Sequence, residues 1–193
     1  MSDRDMLDFF AEAGVLKRVR RSGWWMVGIP KQEEESVAEH SFRCAVIGYT
    51  LAKMEKADAY KVLLMTLFND IHEARTGDSH KVASTYLNVK EADKAAFEGQ
   101  VKDLGDDVGG ELRALRDELD AQKTPESLIA RDADILECLI QAKEYQDAGF
   151  SKAEKFLVKA PDHLKTESAR RLWEEAKTWD SSEWWERLGK FER

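Results

Sequence analysis

Apolar residues recur at intervals of three and four along most of the chain, the period of a helix with one buried side. Residues 2–14 read as a short amphipathic helix with Met6, Phe9, Phe10 and Val15 on its apolar side and Gly14 at its end. Residues 15–35 break the period. Gly23, Gly28 and Pro30 punctuate this stretch, which predicts an ordered loop. Ser36-Val37-Ala38-Glu39 then fits a capping box, and the spacing predicts a helix to about Lys56 with Phe42, Ala45, Val46 and Tyr49 on one face. A further helix begins near Asp58. Its run from Val62 to Phe68 is apolar on all sides, the mark of a central, buried helix, and Gly77 is the expected stop.

Residues 79–87 read as a short helical piece, and 90–105 and 109–121 as charged, amphipathic and more exposed helices. Thr124-Pro125-Glu126 opens a helix, with Thr at the cap and Pro in the first turn, that reaches about Ala148 before Gly149. Further helices are predicted at 151–159 and 165–178, with one or two turns in the tail after Trp179. No repeat, linker or alternating pattern interrupts this, so the expected fold class is all-α: a single-domain bundle of roughly seven to nine helices.

Composition narrows the function classes. The 193 residues are 42% apolar and 35% charged, which suits one globular domain with a charged surface. Two distant cysteines, Cys44 and Cys138, exclude a disulfide framework and a Cys-rich zinc site; reduced, buried thiols and a cytoplasmic location are expected. The apolar stretch Val62–Phe68 is far short of the ~20 residues a membrane helix needs. The acidic N-terminus does not read as a signal peptide. A net charge of −8 argues against nucleic acid as a partner.

Ionisable residues interrupt three of the most apolar segments: Glu39-His40, Asn69-Asp70-Ile71-His72-Glu73, and Arg131-Asp132-Ala133-Asp134. Buried helices rarely carry such groups without a reason. A His and two Asp from three helices could converge on one divalent cation. By spacing alone the plainer readings are favoured: a cap, a satisfied core His or a solvated carboxylate.

Three segments in order, SVAEHSFRCAV, LFNDIHEARTGD and RDADILECLIQAKEY, resemble the HD-domain phosphohydrolases, and most of all their 5′-deoxynucleotidase branch. The resemblance covers about residues 7–150. It implies one HD-type helical domain over 1–193, with helices of 151–193 packing on that core. It implies one divalent metal ion (Mn, Co, Ni, Fe, Zn or Mg) on His40, Asp70 and Asp134. The fourth position, a His in the family, falls on Asn69. A neutral amide oxygen is a poorer ligand than imidazole for such metals, so weaker metal binding and activity are expected. His72, one turn on, is an alternative ligand.

The implied reaction releases phosphate from deoxyribonucleoside 5′-monophosphates. Glu73 would orient or deprotonate water, and Asp78 would assist at the leaving oxygen. Their plain readings are an ion pair with Arg75 or Lys81 and a helix cap. Residues 17–21 carry four positive charges. They read as a solvated basic stretch or, by the resemblance, as a substrate loop in which Arg21 meets the nucleotide and Trp24 packs near the deoxyribose, with Trp25 as the choice one residue on. Lys81 is a further phosphate contact. Trp173, Trp179, Trp184 and Trp185 read as core or interface, and a homodimer is implied. Glu137, Gln141 and Glu144 read as supporting groups behind Asp134 or as a wet helix face. The competing functions are a nucleotide-binding protein without catalysis, suggested by Asn69, and an HD-type triphosphohydrolase or signalling-nucleotide hydrolase.

Overall fold

Ser36 starts its helix as the capping box requires. Its hydroxyl accepts from the Glu39 N–H at 3.2 Å while the Glu39 carboxylate accepts from the Ser36 N–H. The computed structural model describes residues 2–189. The helix so started, α2 (Val37–Glu55), buries Val37, His40, Cys44, Ala45, Gly48, Leu51 and Ala52. The face that carries the larger apolar residues is therefore not the buried one. Phe42, Val46 and Tyr49 are 70%, 52% and 46% exposed, and of the expected set only Ala45 is buried. Small residues decide this. A Cβ at Gly48 would lie 2.9 Å from the Thr66 methyl, so Gly48 lets α2 approach its neighbour at close range.

That neighbour is α3 (Ala59–Phe68), capped by Asp58, whose carboxylate accepts from the Tyr60 and Lys61 N–H groups at 3.1 Å. It ends at Phe68, not at Gly77. Residues 69–72 form turns, and one helical turn, α4 (Glu73–Thr76), follows before Gly77 at φ +73°. The interruption has a physical cause. The Asn69 carbonyl accepts from Arg116 Nη1 at 2.9 Å and the Ile71 carbonyl from Gln100 Nε2 at 3.0 Å. Side chains of distant helices thus satisfy groups that a continuing helix would pair within itself.

The N-terminal helix, α1 (Asp3–Val15), runs through Gly14 and stops one residue later; Phe9 packs on the core while Phe10 faces solvent. The expected helices follow as α5 (Val89–Val101), α6 (Glu111–Ala121), α7 (Pro125–Asp147), α8 (Glu154–Lys159), α9 (Glu167–Ala176) and the single turn α10 (Glu183–Glu186). Between α4 and α5 only Ala83–Thr85 is helical, as a short 3₁₀ turn. No strand occurs among the described residues, and none of their helices is long and apolar enough to cross a membrane.

The main core joins α2, α3, α5, α6, α7 and α9 and includes Trp173. A second cluster, Trp24, Val27 and Ile29 against Ala142, Tyr145 and Ala153, pins the 15–35 loop to α7. Cys44 is buried; burial pushes its thiol up and carries that of Cys138 to about 12, so both are inert thiols.

Of the charged residues in the α7 motif, Asp132 is structural. It is fully buried and accepts from the Lys165 N–H at 2.9 Å, the Thr166 N–H at 2.6 Å and the Thr166 hydroxyl at 2.7 Å. Asp132→Ala strands these donors. It is expected to cost about 3 kcal/mol, a fall in Tm of roughly 6–12 °C for a chain of this size, read by thermal unfolding.

Candidate active site

His40 stands in the first turn of α2, almost fully buried, and has carboxylates on both sides of its ring. Nε2 lies 3.3 Å from Asp70 Oδ2 and 3.2 Å from Asp134 Oδ1. Nδ1 contacts Glu137 Oε2 directly. Three elements therefore meet at one imidazole: α2, the turn after α3, and the middle of α7. Burial and the Arg21 charge pull the His40 pKa down, but Asp134, Asp70 and Glu137 outweigh them, and it stands well above its ordinary value. Burial pushes Asp70 and Asp134 up, and their hydrogen bonds to His40 reverse that and hold both below their ordinary value.

The chemistry of the donor set, one imidazole and two carboxylates on the Nε2 side, fits a divalent cation. Among the described residues the three ligand-type atoms that lie within 4.8 Å of one another are those of Glu35, His40 and Glu137, on the Nδ1 side. There Glu137 already occupies Nδ1, and Glu35 Oε1 accepts the Trp24 indole N–H at 2.8 Å. That side is a hydrogen-bonded backing, the usual partner of a ligating His.

Asn69 adjoins the cluster. Its Nδ2 donates to Asp70 Oδ1 at 2.7 Å, and its side chain lines a cleft of about 190 Å³ together with Cys44, Thr66, Arg131 and Asp134. His72 does not join it. Its Nδ1 lies 3.3 Å from Arg116 Nη1 and its Nε2 3.5 Å from Asp93, so the break after Phe68 turns it to α5 and α6. The idea that His72 replaces the missing ligand is set aside.

Glu73 opens α4 with a buried carboxyl whose Oε2 has no hydrogen-bond partner among the described residues. Its pKa is raised to about 9, by burial first and then by the Asp70 and Asp78 charges. It makes none of the ion pairs suggested for it; Arg75 pairs with Glu12 at 2.6 Å. Asp78 caps no helix. It accepts the Ser22 N–H and so ties the 15–35 loop to the turn after α4. Through that tie Arg21 lies over the cluster, Nη1 3.7 Å from Asp70 and Nε 3.8 Å from Glu35.

One substrate expectation changes. Trp24 is 1% exposed, packed between Tyr145 and Phe156 with ring centroids 5.0 and 4.5 Å away, and shows no face to a sugar. Its flat, apolar body is needed to seal the second core. Trp25 is half exposed and meets the His80 ring edge-on at 5.3 Å. Lys81 is exposed on the segment after Asp78. The residues missed in the sequence are Arg43 and Glu35. Arg43 follows His40 by three positions, so the helical period alone places it on the same side of α2.

Comparison with known proteins shows the family. The HD domain family matches residues 13–177 of the chain. The 5′-deoxynucleotidase HDDC2 of Dictyostelium discoideum is 32% identical over 148 residues, 72% of this chain and 77% of that protein. That of Homo sapiens is 29% identical over 145 residues, 75% and 70% of the two chains. Among solved structures, a conserved hypothetical protein from Pyrococcus furiosus is similar with a TM-score of 0.73 and 33% identity, covering 89% of this chain and 98% of its own. A protein from Pyrococcus horikoshii OT3 has a TM-score of 0.75 at 28% identity, with 89% and 96% covered. The chain belongs to the HD domain family, in which its relatives include the 5′-deoxynucleotidases.

Proposed function

We propose that the protein is a metal-dependent phosphohydrolase that removes the 5′-phosphate from deoxyribonucleoside 5′-monophosphates. The observation that carries this reading is the meeting of His40, Asp70 and Asp134 beneath Arg21, with the buried, unpartnered Glu73 carboxyl close by. His40, Asp70 and Asp134 would hold one divalent cation, with the amide of Asn69 as the weak fourth donor. When bound, such a cation supplies a Lewis acid for a phosphate oxygen and lowers the pKa of water.

The chain's own residues do the rest. Arg21 holds its carboxylate partners only at 3.7–3.8 Å, so it can turn to a phosphate and form bidentate hydrogen bonds there. Glu73 holds a proton on a carboxyl beside Asp70 and Asp78, placed to exchange it with water or the leaving oxygen. Asp78 keeps Arg21 in position through the Ser22 N–H. Lys81, exposed on the segment after Asp78, would add positive charge for the phosphate. Trp25 takes the sugar-facing part first expected of Trp24. The exposed α2 face at Phe42, Val46 and Tyr49 suits the homodimer of this reading. A nucleotide-binding protein without turnover is the second reading, favoured by the Asn69 bond to Asp70.

The test is phosphate release from deoxynucleoside 5′-monophosphates with added Mn(II) or Co(II). Release that a chelator abolishes, and that ribonucleotides do not match, is expected. Nucleotide binding without release supports the second reading, and neither binding nor release with any cation overturns both. The sign of the pH dependence follows from His40. Its proton must leave before Nε2 can bind a cation, so Mn(II) affinity is expected to rise with pH above neutrality, which calorimetric titration checks.

A further inference from the structure

Three acceptors on successive turns of α7 converge on one guanidinium. Arg43 donates from Nε to Glu137 Oε1 at 2.9 Å, from Nη1 to the two oxygens of Glu144 at 2.8 and 2.7 Å, and from Nη2 to Gln141 Oε1 at 2.6 Å. Nη2 also lies 2.8 Å from Glu137 Oε1. Glu137 has no exposed surface, and its other oxygen is the one on His40 Nδ1. An unbroken chain therefore runs from Glu144 and Gln141 through Arg43 and Glu137 to the imidazole. Every nitrogen of the guanidinium is engaged, and both oxygens of Glu137 are used.

We propose that Arg43 is a positioning residue of the metal site: by clamping the Glu137 carboxylate it fixes the rotation of the His40 ring, so that Nε2 is aimed at Asp70 and Asp134. The proposal rests on reading His40 as a ligand. The physical need is plain. The second side-chain torsion of His is broad and roughly two-fold, so packing alone does not choose which nitrogen faces the site. A hydrogen bond to Nδ1 chooses, but only if its acceptor is itself held. Glu is long and rotatable, and a planar fork with several donors immobilises it where a point charge would not. Gln141 and Glu144, left undecided in the sequence as supporting groups or a wet face, find their use here: they hold the clamp. The Arg43 side chain is 28% exposed, so its far edge is wet while the bond to Glu137 is dry.

The alternative role for Arg43 is a strut between α2 and α7, and the experiment separates the two. In the full chain, Arg43→Met, Arg43→Lys and Glu144→Gln are compared with the parent by three readouts: Tm, the slowly exchanging His40 Nδ1–H proton in NMR spectra of the metal-free protein, and the Mn(II) dissociation constant by calorimetry. Arg43→Met is expected to broaden or abolish the His40 Nδ1–H signal and to weaken Mn(II) binding by about 10–100-fold. Arg43→Lys is expected to recover Tm but not the other two readouts. Glu144→Gln, which leaves Glu137 untouched, is expected to show a smaller loss in the same direction, and it carries the test if Arg43→Met does not fold. A folded Arg43→Met or Glu144→Gln protein with the parent's His40 signal and Mn(II) affinity overturns the proposal. Parent protein that binds no Mn(II) overturns the metal reading instead, and the His40 signal then decides the part of Arg43 alone.

Discussion

Replacing Asn69 by His is expected to tighten Mn(II) and Co(II) binding by about 10–100-fold and to raise phosphate release by at least the lower figure. The residue follows the last turn of α3, next to Asp70, and its amide is now spent on the Asp70 carboxylate at 2.7 Å. An amide oxygen is neutral and hard; an imidazole nitrogen is a better donor to the later first-row metals. The site as it stands, one imidazole and two carboxylates with an amide at its edge, leans towards Mn(II) and Mg(II). The gain from His is therefore expected to be larger for Co(II), Ni(II) and Zn(II) than for Mg(II). Asn69 lines a cleft of about 190 Å³, so space adjoins the position for a larger ring. Calorimetry with each metal, paired with a phosphate assay, tests this. Equal affinities in the two proteins would mean that position 69 is not a ligand and that three residues complete the site.

Glu73→Gln is expected to make the protein more stable and much less active. In the folded, cation-free protein the Glu73 carboxyl titrates at about 9, against an ordinary value of 4.5, because burial and the neighbouring carboxylates oppose its charge. The sign follows from linkage. A carboxyl whose pKa is raised by folding binds its proton more tightly in the native state, so its contribution is full at low pH and is lost as pH rises from about 4.5 to about 9. Gln cannot ionise and escapes that loss. At pH 8 the variant is expected to exceed the parent by at least about 1 kcal/mol, or roughly 2–4 °C in Tm, and near pH 4 the two should converge. A general acid or base contributes about 10²–10⁴ in rate, so the phosphate assay should fall by that order. Unfolding curves across pH 4–9 decide the first half. Parallel curves would show that Glu73 is ionised in the native state. Unchanged turnover would remove Glu73 from the chemistry.

A gain of stability with a loss of rate is the signature of a residue kept for function. Its opposite is Asp132, two positions from Asp134 on the same helix. Asp132 has every bond satisfied by backbone and hydroxyl donors of the chain leading into α9. Asp134 points to His40, and Arg131 at 2.6 Å partly neutralises it. The motif Arg-Asp-Ala-Asp thus divides its two carboxylates between holding the fold and building the site.

Much of this was written locally. Ser36, Asp58 and Thr124 start their helices because a side-chain oxygen a few residues from an unpaired N–H needs no distant partner. The 3.6-residue period likewise made the all-α class legible; the polar residues in apolar helices marked three segments, and the resemblance to the HD-domain phosphohydrolases singled out His40, Asp70 and Asp134 within them. What the chain alone did not decide were choices between equally good local options. The α2 helix has two apolar stripes, and only contact with Thr66 and Val62 shows that the small-residue stripe goes inward. The α3 helix stops at Phe68 because Gln100 and Arg116, remote in sequence, take the carbonyls of Ile71 and Asn69, and the same break turns His72 away. Trp24 faces the core and not the site because Tyr145 and Phe156 close around it. Arg43 and Glu137 are ordinary charged helix residues until two helices meet. Caps and periods act over a few residues and are set by covalent neighbours; convergence, burial and the pairing of charges depend on distances that exist only after the chain has folded.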